Sequence, residues 1–394
     1  MDRRHFLQHA ATLPLALGGG RLFAAPAAPG RFLLVFLRGG YDAASLLVPT
    51  ASSFYYEVRP DIAIARPSGD AGAALPLDAS WGLHPALRDS VHPLFRSGQA
   101  AFIAFAGTDD TSRSHFETQD SIELGQSPDK SRNYRSGFLN RLAGVLGGAA
   151  PIAFTDQLPI VFQGDIQVPN TSLRNVGKPG VDARQSALIA SMYKGTALDA
   201  KVTEGFAVRD EVSRELAGEM EAASRNALTT KGFESEARRM ARLMRERYHL
   251  GFVDVGGWDT HVGQGGATGN LAGRLEELGR GLAAFAQEMG GTWRDTTVVV
   301  VSEFGRTLRQ NGNRGTDHGH GTVFWVLGGG VRGGRIAGEQ VKVEAATLFQ
   351  NRDYPVLNEY RAVLGGLFAR QFGLDRARLE QVFAGVRPAD LGLV

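Results

Sequence analysis

Residues 295–334 read DTTVVVVSEFGRTLRQNGNRGTDHGHGTVFWVLGGGVRGG. The stretch opens on a continuous apolar run, Thr296–Val301, the pattern of a strand covered on both faces of a parallel sheet. An acid, Glu303, follows at once, then Gly305, Arg306 and Thr307. Asp317-His318-Gly319-His320 comes next, and Thr322–Leu327 is a second apolar run closed by three glycines. Open α/β sheets hold ligands beyond the carboxyl ends of their strands. A carboxylate, an Asp-His pair and a further His at such an edge predict a metal site.

Three other segments repeat the arrangement. Arg31–Leu37 is an apolar run followed by Arg38-Gly39-Gly40-Tyr41-Asp42. The glycines allow a tight turn, which brings Asp42 to the sheet edge as a ligand or as the cap of the next helix. Ala100–Phe105 predicts another strand, followed by a polar segment with Arg113, Ser114 and Glu117. Ser114 and Glu117 match a capping box. A hydroxyl at a helix start beside Arg113 also suits a nucleophile attacking an anionic ester. Leu250–Val255 leads into Gly256-Gly257-Trp258-Asp259-Thr260-His261. Side chains two apart on an extended segment point the same way, so Asp259 and His261 can share an ion.

Between these segments the pattern is helical. Ala183–Leu198, Thr203–Asn226 and Glu234–Tyr248 alternate charged and apolar residues as amphipathic helices do. They predict either a cover for the sheet or a cap over the site, at about residues 165–248. Pro159–Phe162 predicts a short strand, Leu271–Met289 a long helix, and Glu359–Phe372 with Arg376–Phe383 two closing helices. His84 and His92 each precede a proline and read as packing or capping residues.

Length and composition narrow the class. The 394 residues, 43% hydrophobic and 21% charged, fit a globular chain with a substantial core. Residues 1–27 carry Arg3-Arg4, a short apolar region and Ala25-Pro26-Ala27, the order of a twin-arginine signal peptide with its cleavage site. That apolar region is too short for a transmembrane segment. Taking away Arg3, Arg4, Arg21 and Asp2 removes +2 from a net charge of +2 and leaves about zero, which gives nucleic acid no electrostatic hold. With no cysteine, disulfides, thiolate catalysis and Cys-ligated zinc are excluded.

The candidate ligands are therefore nitrogen and oxygen: Asp42, Asp259, His261, Glu303, Asp317, His318 and His320. Such donors suit Zn, Mn or Mg, and the set is too large for one tetrahedral ion, so two divalent ions are expected.

GGWDTH, VVVVSEFGRT and GTDHGHG, with the twin-arginine leader and LRGGYD, closely resemble the uncharacterised exported family labelled domain of unknown function 1501. Its members resemble the alkaline phosphatase-like superfamily of phosphatases, sulfatases and phosphomutases. The resemblance implies a three-layer αβα sandwich with a mostly parallel central sheet, two metals at its strand ends and a Ser, Thr or Cys nucleophile. Carried over, Asp42 resembles the first-strand ligand, Ser114 or Ser112 the nucleophile, Asp259 and His261 the ligands of one metal, and His318 or His320 its late histidine. Glu303 falls where the superfamily has the Asp of an Asp-His pair, and Phe304 stands where that His would be. No sulfatase signature follows the second strand. The expectation is an exported metal-dependent hydrolase of small anionic esters, phosphate before sulfate, with Arg113 or Arg306 gripping the anion. The alternative is a non-catalytic cell-envelope scaffold keeping the fold and at most one metal.

Overall fold

The structure, a computed structural model, describes residues 30–128, 131–172, 183–204 and 232–394. The expected leader and most of the expected helix Thr203–Asn226 lie outside the described residues.

Eight strands form one sheet: β1 (Arg31–Leu37), β2 (Ala100–Gly107), β3 (Pro151–Ala153), β4 (Leu250–Val255), β5 (Thr296–Ser302), β6 (Thr322–Leu327), β7 (Ile336–Ala337) and β8 (Asn358–Glu359). Their order is β7-β2-β6-β5-β1-β4-β3, with β8 also on β2. Strand β1 lies at the centre, parallel to both neighbours, with Val35 opposite Val253 on one side and Val300 on the other. Only β6 runs against its neighbours, antiparallel to β5 and to β2. Antiparallel pairing needs no crossover helix. The whole segment from Glu303 to Gly321 therefore stays at the edge where β5 ends and β6 begins.

The unbroken apolar runs follow from covering on both faces. Leu33, Val35, Val298, Val300 and Trp325 face one core, with α3 (Phe233–Glu246) and α4 (Asn270–Met289) above them. Phe32, Leu34, Phe36, Val299, Val301 and Phe324 face the other, beneath α2 (Phe138–Leu146), α5 (Tyr360–Phe372) and α6 (Arg376–Val382). The result is a three-layer αβα sandwich. Leu271, Leu275, Leu278, Leu282 and Phe285 bury one stripe of α4 at helical spacing. Each such side chain contributes about 1.5–3 kcal/mol on burial.

One expectation changes. Pro159–Phe162 is not a strand. Ile160–Phe162 is a 3-10 turn, and the Val161 amide donates to buried Glu123 at 3.1 Å instead of joining a ladder. Of the helices expected to cover the sheet or cap the site, α3 covers the sheet, with Phe233, Met240 and Met244 in its core. Among the described residues no helix is long and apolar enough to cross a membrane.

Candidate metal centre

Four strand-end loops meet at the carboxyl edge of the sheet. Gly39, just after β1, has φ +124°, and a Cβ there would stand 2.6 Å from the Asp259 amide nitrogen. Only glycine allows the turns after β1 and β4 to touch backbone to backbone. The Trp258 amide donates to the Arg38 carbonyl at 3.3 Å, locking the two turns. The loop after β2 arrives through Arg113 and Ser114 and enters α1 (His115–Leu124).

At the meeting point stand His115, Asp259, His261 and His318. His115 Nδ1 lies 2.8 Å from Glu303 Oε1, His261 Nδ1 3.2 Å from Asp317 Oδ1, and His318 Nδ1 3.1 Å from the Arg113 carbonyl. Carboxylates and carbonyls only accept, so each Nδ1 carries the proton and each Nε2 presents its lone pair. The His261 and His318 Nε2 atoms are 3.1 Å apart, and lie 2.9 and 3.4 Å from Asp259 Oδ1. His115 Nε2 lies 3.5 Å from Asp259 Oδ2 and is buried with no hydrogen-bond partner. His115, Asp259 and His318 each offer an atom within 4.8 Å of the others. An orphaned imidazole nitrogen beside a second imidazole and a carboxylate, each ring fixed from behind by an acceptor, is the arrangement of metal-ligating histidines. The donor set fits a divalent ion of the zinc type.

The electrostatics agree. Burial opposes the Asp259 charge, but the hydrogen bond and charge of Arg306, with His261 and His318, hold its carboxyl below the ordinary range. Burial, then the charges of Arg306 and His115, lowers His318 and keeps it a neutral donor. The Glu303 hydrogen bond raises His115 despite partial burial.

The structure gathers Asp259, His261 and His318 from the expected residues and adds His115, which sequence reasoning passed over. The other candidates sit elsewhere or do other work. Asp42, 1% exposed, accepts from Arg59 through both carboxylate oxygens and also from Ser45 and Gln264. It caps the short helix Ala43–Leu46 and has no oxygen left for an ion. Glu303 is fully buried, its Oε1 accepting from Gly39, His115 and Gln119 and its Oε2 from Ser302. These donors occupy its carboxylate, and it fixes the His115 ring from behind. Asp317 likewise orients His261, while Asn311, donating at 3.0 Å, steadies it. His320 is buried against Phe349, ring centroids 4.9 Å apart, outside the cluster.

Neither arginine is free to grip an anion. Arg113 is paired with Asp353 at 2.7 Å and bonded to Gln350. The Arg306 side chain is fully buried, donating to the carbonyls of Gly39, Gly40 and Thr316 and to Asp259. Ser114 precedes α1 but makes no capping bond, so the expected capping box is not formed; its amide donates to the Ser112 hydroxyl at 3.3 Å. His84 does cap, accepting from the Ala86 amide at 3.1 Å.

A model of the family described as "Protein of unknown function (DUF1501)" matches residues 30–383. The chain belongs to that family. Among solved structures it is similar to a protein in the alkaline phosphatase superfamily from Vibrio parahaemolyticus, 12% identical over 76% of this chain at TM-score 0.36. The match covers 60% of the length of that chain. It is also similar to Ps i-CgsB, alone and in complex with k-i-k-neocarrahexaose, at 9% identity, 89% of this chain, 74% of that one and TM-score 0.36. No curated protein matches the chain.

Proposed function

We propose that this member of the family is an exported, metal-dependent hydrolase of phosphate esters, with sulfate esters second. The reading is carried by one observation: three imidazoles, each anchored through Nδ1, turn Nε2 on the Asp259 carboxylate, and the His115 Nε2 is buried and unpartnered. Asp259, kept ionised by Arg306, with the His115, His261 and His318 imidazoles, would hold a divalent ion, Zn, Mn or Mg, which would supply Lewis acidity to an attacking water and to the departing oxygen. Phe304, with its ring 4.9 Å from those of both His115 and His318, walls off one side from water.

In the reaction, the water oxygen forms the new bond to phosphorus as the bond to the alcohol oxygen breaks. One water proton ends on the leaving alcohol and the other stays on the phosphate product. Water is favoured over Ser114 because a serine nucleophile needs a base within hydrogen-bond reach. The neighbouring His115 spends Nδ1 on Glu303 and turns Nε2 toward Asp259. Export by the twin-arginine route rests on Arg3-Arg4 and the small-residue cleavage site.

The engagement of Arg113 and Arg306 favours a second reading, a cell-envelope binding protein that keeps the fold and at most one ion without turnover. Metal analysis and an ester panel on protein recovered from its native compartment separate the two. Turnover of an aryl phosphate that is lost in Asp259→Ala and kept in Ser114→Ala supports the hydrolase. One bound ion or none, with no turnover on any ester, supports the binding protein, and no bound ion ends the hydrolase reading.

A further inference from the structure

The acids around the centre are already paired within the chain. Asp42 holds Arg59, Asp353 holds Arg113, and Glu303 is filled by His115, Gln119 and Gly39. What remains open toward the common point is three imidazole nitrogens and one carboxylate, the donor count of a single tetrahedral ion.

Beside that set lies a second cluster of oxygens. The carbonyls of Gly39, Gly40 and Thr316 and Asp259 Oδ1 surround one guanidinium-sized space, with the Trp258 carbonyl at its margin, 3.4 Å from Arg306. Carbonyls with a carboxylate make the kind of cage that hard cations prefer. Its occupant is the Arg306 guanidinium, fully buried, with one nitrogen 3.5 Å from His261 Nε2. A guanidinium carries its charge at any working pH and cannot exchange with solvent ions. Asp259 is thus shared between the imidazole cluster and a fixed positive group.

We infer that the centre takes one divalent ion only, and that Arg306 is its second cation, built into the chain where an oxygen cage would otherwise accept another ion. This rests on the metal-binding reading above. Arg306 is here a positioning residue: it pins Asp259 from the side opposite His115 and ties the turns after β1, β4 and β5 into one unit.

Native mass spectrometry of the full exported chain, titrated with Zn²⁺, Mn²⁺ or Ca²⁺, tests the inference without any activity assay. One bound ion is the expected count. Two ions in the unaltered protein overturn the inference and leave the metal reading intact, whereas none overturns both. Arg306→Ala empties the cage, and the expected result is a second equivalent of Mn²⁺ or Ca²⁺ at millimolar concentration. A folded Arg306→Ala protein that still takes one ion overturns the role given to Arg306. Should that variant fail to fold, Arg306→Lys, which keeps a cation in the cage, carries the test: one ion is expected and two refute it.

Discussion

Replacing Glu303 with Gln changes a charge and almost nothing else. The side-chain oxygen can still accept from Gly39, His115 and Gln119 at the Oε1 position. The new amide nitrogen would face Ser302 Oγ, whose single proton could then go wholly to the Leu37 carbonyl at 2.6 Å while its oxygen accepts from the amide. Shape and hydrogen-bond count are preserved. Bonds to charged acceptors contribute about 1.5–3 kcal/mol and neutral ones about 0.5–1.5, so each bond weakens by roughly 1–1.5 kcal/mol. Two of the three affected bonds cost only fold stability. The third reaches the centre, because a ring that donates to a carboxylate is a more basic ligand through its far nitrogen. Loss of an orienting carboxylate typically lowers metal affinity about 10–100-fold, or roughly 1.4–2.8 kcal/mol. Glu303 also raises His115, so the variant eases competition from protons. Measurement at about pH 8, above the ordinary imidazole range, removes that offset. Competition against a chromophoric zinc chelator should show the dissociation constant rising at least tenfold while circular dichroism is unchanged. A folded Glu303→Gln protein with affinity within twofold of the original would refute the view that Glu303 acts through His115.

The buried Asp42–Arg59 pair is a stability element, so Asp42→Asn, which strands the Arg59 charge, should cost about 3–5 kcal/mol in urea unfolding and leave the ion count alone. Burial raises the Asp42 carboxyl, and Arg59 outweighs burial and holds it below its ordinary range. The stabilisation is therefore full above the unfolded value of about 3.9 and is lost as pH falls through the lower folded one. Part of the steep acid unfolding below that range should vanish in Asp42→Asn, and an unchanged profile would place the acid sensitivity elsewhere. His115→Ala and His320→Ala form a matched pair: the first removes a ligand and should weaken ion binding beyond the 10–100-fold of an orienting residue. The second should keep one ion and cost about 1 kcal/mol of stability, as an average core substitution does, and isothermal titration with thermal unfolding reads both.

The five strands β1, β2, β4, β5 and β6 were legible in the sequence because they are runs of mostly apolar residues, as strands covered on both faces are, whereas β3, β7 and β8, two or three residues long, carry no such run. The pairing that made Asp259 and His261 legible is local, two residues apart on one turn. What stayed hidden are the contacts that depend on another segment. Asp42 after Gly39-Gly40 has the pattern of a ligand, and only the fold shows that Arg59 closes over it. His320 and His318 are two apart like Asp259 and His261. Yet His318 faces the cluster while His320 packs on Phe349, a difference that no periodicity encodes.

Phe304 gives the deepest reason for the mismatch between pattern and site. On the sequence it looks like a broken Asp-His pair, an acid followed by an aromatic ring where a histidine is expected. In the fold the acid does have its histidine, delivered by His115 from 188 positions away. A histidine at position 304 would compete with His115 for the same carboxylate. Phe304 instead packs beside both His115 and His318 and adds no donor. Glu303 thus takes its histidine from another strand end, and the ring next to it in the chain packs against that histidine. The sequence signal for it was a histidine directly after a serine that opens a helix, in a loop following a buried strand. A strand-end loop adds to a shared pocket whatever polar side chain lies at its turn, and at this turn that is His115 as well as Ser114, the only one of the two that sequence reasoning weighed.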